Sequence, residues 1–211
     1  MPTETIGILG AGKVGIALTQ LLLSAGYTVL IAGSGSIDKI ALTIKVLTPG
    51  AIPLTKEAVA EQADIVILAL PLGKYMTIPK DSLKGKLVID AMNYWWEVDG
   101  NRDDLASAEL SSSEMVQNFL SESRVVKAFS HIGYHELLDE TRPAGAPGRK
   151  AIAIAGDNPA DVTVVSNIVD NLGFDPIIIG ELKAGIQLEP GSNVFGAHVD
   201  AESLKHMLHL L

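Results

Sequence analysis

The chain has 211 residues, of which 47% are hydrophobic, a formal net charge of −9 and no cysteine. This length can bury one core and a small appended lobe. The acidic balance disfavours nucleic acid and anionic membranes as partners, because both attract clustered Lys and Arg. The lack of cysteine excludes disulfides, thiolate metal sites and cysteine nucleophiles. The start, MPTETIGILG, lacks a basic segment, and no apolar run could span a bilayer, so we expect a cytoplasmic protein without a membrane partner.

Short runs rich in Val and Ile predict buried strands, and most of them lack the alternation of a half-wetted sheet. They lie at residues 6–9, 28–31, 65–70, 87–89, 125–128, 151–155 and 176–179. Helical spacing occupies residues 14–25, 56–63 and 159–172, and Ser111 with Glu114 has the spacing of a capping box. The alternation predicts an α/β fold of the Rossmann type, a doubly wound, mainly parallel sheet with a small C-terminal α/β extension.

The first strand and helix are joined by the sequence GAGKVG, residues 10–15, which matches G-x-G-x-x-G. Gly10 permits a tight turn, Gly12 lets the backbone approach a pyrophosphate, and Gly15 lets the helix pack closely on the strand. Free amides at the helix start and the helix dipole favour phosphate there. The motif predicts a dinucleotide whose pyrophosphate is held by the backbone of Gly10, Ala11, Gly12, Lys13 and Val14. The alternative is a glycine-rich turn without a ligand.

The second predicted strand ends in the sequence GSGS, residues 33–36, with no acidic residue. An acidic side chain at this place would bind the ribose hydroxyls of NAD and repel a 2′-phosphate, so its absence favours NADP over NAD. Hydroxyls, free amides and one nearby cation suit an anion. The predicted adenosine site comprises Gly33, Ser34, Gly35, Ser36 and Lys39. An ordinary loop is the alternative.

Several further segments make the chain resemble the family of F420-dependent NADP oxidoreductases. They are IGILGAGKVG, ADIVILALP, LVIDAMNYWWEVDG, RVVKAFSHIGYHEL, RPAGAPGRKAIAIAGD, and LGFDPIIIGEL followed by LEPG. The resemblance covers nearly the whole chain. It implies an NAD(P)-binding Rossmann core at residues 1–129 and a C-terminal portion, residues 130–211, that packs on the core and closes the acceptor cleft. It also implies a homodimer.

The resemblance implies hydride transfer between NADPH and a second cofactor, a flavin or a deazaflavin of the F420 type, with no catalytic acid or base strictly required. It places Leu70, Pro71 and Leu72 near the ribose and nicotinamide. Ala91 and Asn93 would flank the nicotinamide, although Asn93 is equally explained as a turn residue that caps its own backbone. The family's arginine for the 2′-phosphate falls on Gly35, and a following basic residue of some members falls on Lys39.

Three residues are candidates for the acceptor site. Trp95 belongs to the sequence YWW, where a flat ring could stack, or where the aromatic side chains could cover an interface. Ser130 and His131 replace an asparagine and a threonine of relatives. His131 could donate a proton to a small carbonyl compound, which would make the chain an NADP-dependent dehydrogenase. A further alternative is an NADP-sensing protein without turnover. We expect no metal site, because Glu202, His206 and His209 are better explained as a solvated helix face.

Overall fold

The computed structural model describes residues 3–101, 105 and 110–210. Within them the chain forms one eight-stranded sheet in the order β3-β2-β1-β4-β5-β6-β7-β8. The strands are β1 (Thr5–Leu9), β2 (Thr28–Ala32), β3 (Ile52–Pro53), β4 (Ile65–Leu68), β5 (Leu87–Asp90), β6 (Arg124–Lys127), β7 (Ala151–Gly156) and β8 (Asp175–Gly180). All neighbouring pairs are parallel except β6 with β7. The predicted α/β, doubly wound, mainly parallel fold is therefore confirmed.

Helices connect most of the strands. They are α1 (Lys13–Ser24), α2 (Asp38–Leu47), α3 (Lys56–Gln62), α4 (Trp96–Asp99), α5 (Ser112–Phe119), α6 (Tyr134–Asp139), α7 (Pro159–Asn171) and α8 (Ala201–Met207). Short 3-10 helices occupy Leu72–Thr77, Lys80–Leu83 and Leu182–Leu188. The capping box is present, since Ser111 accepts from the Glu114 amide and Glu114 accepts from the Ser111 amide. At the start of α7 the Asn158 side chain accepts from the amides of Ala160 and Asp161, which fixes where that helix begins.

Both faces of the sheet are covered. One face packs against α1 and α7, with Ile16 and Val165 in the core, and the other packs against α3 and α5, with Val59 and Val116. This burial on two sides explains why the strands are mostly apolar. Of the described helices, none is long and apolar enough to cross a membrane.

Strand β7 extends the sheet past the carboxyl end of β6. Its pairing with β6 begins at Val126 with Gly156 and continues at Lys127 with Ala155. Because the two strands are antiparallel, residues 151–154 run beyond β6 and alongside the segment that follows it. The sheet is continuous across the predicted boundary at residue 129, and the division into two portions stays a prediction.

Candidate cofactor and acceptor site

The glycine turn between β1 and α1 joins three strands at the carboxyl edge of the sheet. Gly10 has a φ of +124°, and its amide donates to the carbonyl of Ala32 at the end of β2 over 2.8 Å. A Cβ atom on Gly10 would lie 2.2 Å from the Ala69 carbonyl oxygen, and one on Gly15 would lie 1.8 Å from the Gly10 carbonyl oxygen. The fold itself therefore requires glycine at both positions.

Gly12 differs from these two glycines. Its φ of −84° and ψ of −169° suit any residue, and an added Cβ would meet no described protein atom within 4 Å. Packing and backbone strain therefore do not account for glycine here. A ligand that approaches the backbone at the start of α1 does account for it, which fits a bound pyrophosphate.

A cavity of about 410 Å³ opens beside this turn, at the ends of β1, β2 and β4. It brings together seven of the predicted cofactor residues: Gly10, Ala11, Gly12, Gly33, Ser34, Leu70 and Pro71. Leu72 does not line it, because the Leu72 side chain is packed in the core against α3 and α5. Lys13, Gly35 and Lys39 lie next in sequence to lining residues, and Val14 and Ser36 lie two positions from one. None of the five lines the cavity itself, and their roles stay predictions.

Lys39 lies against Gly35, next in sequence to the lining residue Ile40. A Cβ on Gly35 would be 3.0 Å from Lys39 Cδ and 3.3 Å from Lys39 Nζ. The missing side chain of Gly35 thus leaves the space in which the Lys39 chain lies. The lysine occupies the place where a side chain at position 35 would begin.

Sequence reasoning missed the wall opposite this loop. Lys56, Lys74, Thr77 and Ile78 line the cavity there, whereas Ile40, which was also missed, lines it on the side of Gly33. Lys56 Nζ donates to the Thr77 carbonyl over 2.9 Å, which ties α3 to the 3-10 helix Leu72–Thr77. The signal that could have indicated this wall is Lys74, a basic residue a few positions after β4, the strand that neighbours β1. Parallel strands end at the same edge of the sheet, so the segments that follow them lie near one another.

The ends of β5 and β6 carry a buried ion pair. Asp90 and Lys127 are fully buried, and Lys127 Nζ lies 3.6 Å from Asp90 Oδ2. Lys127 also donates to the Met92 carbonyl and to Ser112 Oγ, both over 3.2 Å. Asp90 accepts from the Met92 amide over 2.9 Å and from Ser113 Oγ over 2.5 Å. These contacts fix the turn that follows β5.

Asn93 lies in the turn after β5 and Ser130 in the segment that follows β6, and each has a buried polar atom without a hydrogen-bond partner. Asn93 Nδ2 donates to the Ser130 carbonyl over 2.5 Å, but Asn93 Oδ1 and Ser130 Oγ are buried and have no hydrogen bond. Phe129, between β6 and Ser130, has a left-handed φ of 64°, which is uncommon for a bulky residue. One acceptor and one hydroxyl close together match the donor and acceptor of a carboxamide. Asn93 is not an ordinary self-capping turn residue, because its amide contacts residue 130.

His131 is enclosed between β7 and the C-terminal segment. Its Nε2 accepts from the Ala153 amide over 3.0 Å, its carbonyl accepts from the Gly196 amide over 2.7 Å, and its Nδ1 has no hydrogen bond of good geometry. Burial lowers the pKa of His131 to about 4, and the Ala197 backbone only partly opposes this shift. The neutral imidazole does not fit the predicted proton donor, and that role stays a prediction without structural support.

Trp95 packs edge-on against Phe195 of the C-terminal segment, with ring centroids 5.3 Å apart, and remains 43% exposed. Ala91 is buried directly after β5. The same C-terminal segment reaches the ion pair, because a Cβ on Gly185 would lie 2.7 Å from Lys127 Cδ and Glu189 accepts from the Ser112 amide over 2.7 Å. Among the described residues, no group of three His, Asp or Glu could hold a metal ion, and the expectation of no metal stays a prediction.

Comparison with known proteins links this geometry to a family. Residues 5–94 match the family described as NADP oxidoreductase coenzyme F420-dependent. The F420-dependent NADP reductase of Methanocaldococcus jannaschii is 30% identical over 138 residues, which are 63% of this chain and 60% of that protein. The metalloreductase STEAP3 of Rattus norvegicus is 25% identical over 186 residues, 87% of this chain and 35% of that protein. The chain thus spans less than two thirds of the length of these relatives.

A solved structure of similar size also matches. The hypothetical protein SMa0349 from Sinorhizobium meliloti superposes with a TM-score of 0.81 at 26% identity, over 93% of this chain and 95% of that one. The glycine turn, the cavity and the turn after β5 all fall within the segment 5–94. The resemblance to the F420-dependent NADP oxidoreductases that the sequence predicted is therefore confirmed by the family match of this segment.

Proposed function

We propose that the chain is an NADP-linked oxidoreductase that transfers hydride between NADPH and a flat acceptor of the flavin or deazaflavin (F420) type. The observation that carries the proposal is Gly12, where neither backbone conformation nor packing requires glycine and a bound pyrophosphate does. The match of residues 5–94 to the F420-dependent NADP oxidoreductase family supports it. The M. jannaschii relative named an F420-dependent NADP reductase supports the choice of acceptor.

The residues of the chain would bind and orient, since the bound nicotinamide supplies the hydride chemistry. The backbone of residues 10–14 and the first turn of α1 hold the pyrophosphate. Asn93 Oδ1 would accept from the carboxamide of a bound nicotinamide, and Ser130 Oγ would donate to it, so that both atoms would gain the hydrogen bonds that they lack. These two residues would thereby orient the ring toward the acceptor.

The acceptor would lie beside the turn after β5. Trp95, partly exposed and backed by Phe195, offers an aromatic surface there for a flat ring system. The buried pair of Asp90 and Lys127 keeps the turn in place beneath the ring. No side chain needs to move a proton in this arrangement, and a homodimer in the cytoplasm stays a prediction.

The test is a titration of the purified protein with NADPH and NADH, followed by anaerobic mixing of the NADPH complex with FMN, FAD or F420. Loss of NADPH absorbance that depends on one of these acceptors is the expected result. Binding without turnover would instead support an NADP-sensing protein. Failure to bind either dinucleotide would rule out both functions.

A further inference from the structure

We propose that Lys74, in the wall of the cavity across from the loop after β2, selects NADP over NAD by contacting the 2′-phosphate, together with Ser34 of that loop and Lys39 beside it. The inference rests on the proposed binding of a dinucleotide in this cavity. Lys74 lies in the 3-10 helix Leu72–Thr77, on the other side of the cavity from the loop after β2. Its role in specificity therefore could not be inferred from the sequence of that loop.

The first wall is the loop after β2. Ser34 lines the cavity, and its neighbour Gly35 leaves room for the Lys39 chain, whose Nζ lies 3.3 Å from the position of a Cβ on Gly35. Lys39 is exposed, and none of the described residues pairs with its ammonium group. The first wall therefore offers the Ser34 hydroxyl, and Lys39 provides a cation beside that wall.

The second wall holds Lys74 on a fixed backbone. The Lys74 amide donates to the Pro71 carbonyl over 3.0 Å, and its carbonyl accepts from Thr77 Oγ1 over 2.8 Å. The Lys74 ammonium group has no hydrogen bond or ion pair within the described ranges. Lys56, beside it, already donates to the Thr77 carbonyl, so Lys74 is the cation of this wall that is available to a ligand.

Charge gives the reason for selectivity. The residues that line the cavity include Lys56 and Lys74 and, among those described, no acidic side chain, although the whole chain carries a formal charge of −9. A 2′-phosphate brings additional negative charge and three acceptor oxygens to this place, whereas the ribose of NAD brings only a hydroxyl. A ligand phosphate between the walls would make charge-assisted hydrogen bonds to lysines that otherwise face water.

The experiment measures calorimetric affinities for NADPH, NADH and adenosine 2′,5′-bisphosphate with wild type, Lys74→Ala, Lys39→Ala and the double variant. Lys45→Ala is the matched control, because Lys45 is an exposed lysine of α2 that does not line this cavity. Each single variant should lose about tenfold or more in affinity for NADPH and the bisphosphate, as expected for one charge-assisted hydrogen bond. Affinity for NADH should change less than about twofold, and the losses should shrink at high salt.

Three results would overturn the inference. Equal loss of NADPH and NADH affinity in Lys74→Ala would place the lysine against a part that both cofactors share. Unchanged NADPH affinity would mean that Lys74 does not contact the ligand, and wild type that binds NADPH and NADH equally would refute the selectivity while leaving the proposed oxidoreductase intact. Wild type that binds neither dinucleotide would refute the proposed function as well. Melting curves check that each variant is folded.

Discussion

The two halves of the carboxyl edge of the sheet are built in opposite ways. The half formed by β1, β2 and β4 is open, with a cavity of about 410 Å³ and lysines that face water. The half formed by β5 and β6 is closed, with Asp90 and Lys127 fully buried and Asn93 Oδ1, Ser130 Oγ and His131 Nδ1 left without partners. The first half has charge to offer a ligand, and the second has shape and unmet hydrogen bonds.

This difference indicates how a single sheet edge can serve two tasks. Lysine ammonium groups that face water form their strongest interactions with a highly charged ligand group. They cost the fold little stability, because water hydrates them when the cavity is empty. Buried polar atoms without hydrogen-bond partners lower the stability of the free protein. Only a ligand group of matching shape can supply the missing hydrogen bonds. The open half therefore suits the phosphates of a nucleotide, and the closed half suits a ring that must be held in one orientation.

Breaking the buried ion pair should have the largest effect. Lys127→Met leaves Asp90 charged and buried, and we expect the free energy of unfolding to fall by about 3–5 kcal/mol. Urea denaturation measures this loss. The double variant Asp90→Asn with Lys127→Met removes the uncompensated charge and should recover about 1–2 kcal/mol of it. A single variant within about 1 kcal/mol of wild type would show that the closed half does not depend on the pair.

The pH dependence of stability tests the enclosure of His131. Its pKa is about 4 in the folded chain and near 6.5 when unfolded, so the unfolded state takes up the proton first as pH falls. The contribution of the neutral His131 to the free energy of unfolding is complete above pH 6.5 and is lost as the pH falls from 6.5 to 4. Between pH 7 and pH 5 this amounts to about 2 kcal/mol of unfolding free energy. His131→Asn should remove that part of the slope, and an unchanged slope in urea titrations would contradict the buried neutral imidazole.

Gly12→Ala should separate ligand binding from folding in the open half. The added methyl group meets no described protein atom, so the free energy of unfolding should fall by no more than about 1 kcal/mol, the cost of alanine at an N-cap. NADPH affinity should fall at least about tenfold, because the methyl group occupies the place of the pyrophosphate. Gly15→Ala is the contrasting control and should unfold the chain, since its Cβ would overlap the Gly10 carbonyl. Unchanged NADPH affinity in Gly12→Ala would mean that the turn does not hold a phosphate.

Asn93→Ala should have the smallest effect and sharpen the division between the halves. It removes the acceptor for the carboxamide, and we expect NADPH affinity to fall by about three- to tenfold, as for one hydrogen bond. Adenosine 2′,5′-bisphosphate lacks the nicotinamide, so its affinity should not change. Comparable losses for both ligands, measured by calorimetry, would place Asn93 in the adenosine site or in the support of the fold.

Periodicity predicted most of the sheet and three of its helices, because buried strands and capped helices leave local signals. The predicted strand 65–70 ends earlier, at Leu68, since the chain there turns to meet Gly10. Strand β3 has only two residues, too few for a pattern. Helix α2 escaped because Leu42 and Val46 are exposed, so its apolar residues do not form one buried face. The antiparallel direction of β7 depends on pairing with β6, which no local signal encodes.

The site was predictable where one segment provides it. The sequence GAGKVG predicted the turn, and the predicted cofactor residues Ser34, Leu70 and Pro71 line the cavity, while their part in cofactor binding stays a prediction. Lys74 was missed because its part in the cavity depends on two loops that are neighbours only through β1. The burial of Leu72 and His131 likewise depends on tertiary packing. The candidate residues could be predicted from their side-chain chemistry, but which of them can reach a ligand depends on tertiary packing.

The contacts of the C-terminal segment imply an order of assembly during synthesis. The walls of the open cavity all come from residues 9–78. The closed half is complete only after Glu189 and Gly196 have been made. Glu189 accepts from the Ser112 amide, 77 residues earlier in the chain, and the Gly196 amide donates to the His131 carbonyl. Loop closure over such distances is slower than local pairing, and N-terminal units fold first on the ribosome. A nascent chain therefore contains every residue that lines the open cavity well before the segment that encloses the closed half has been made.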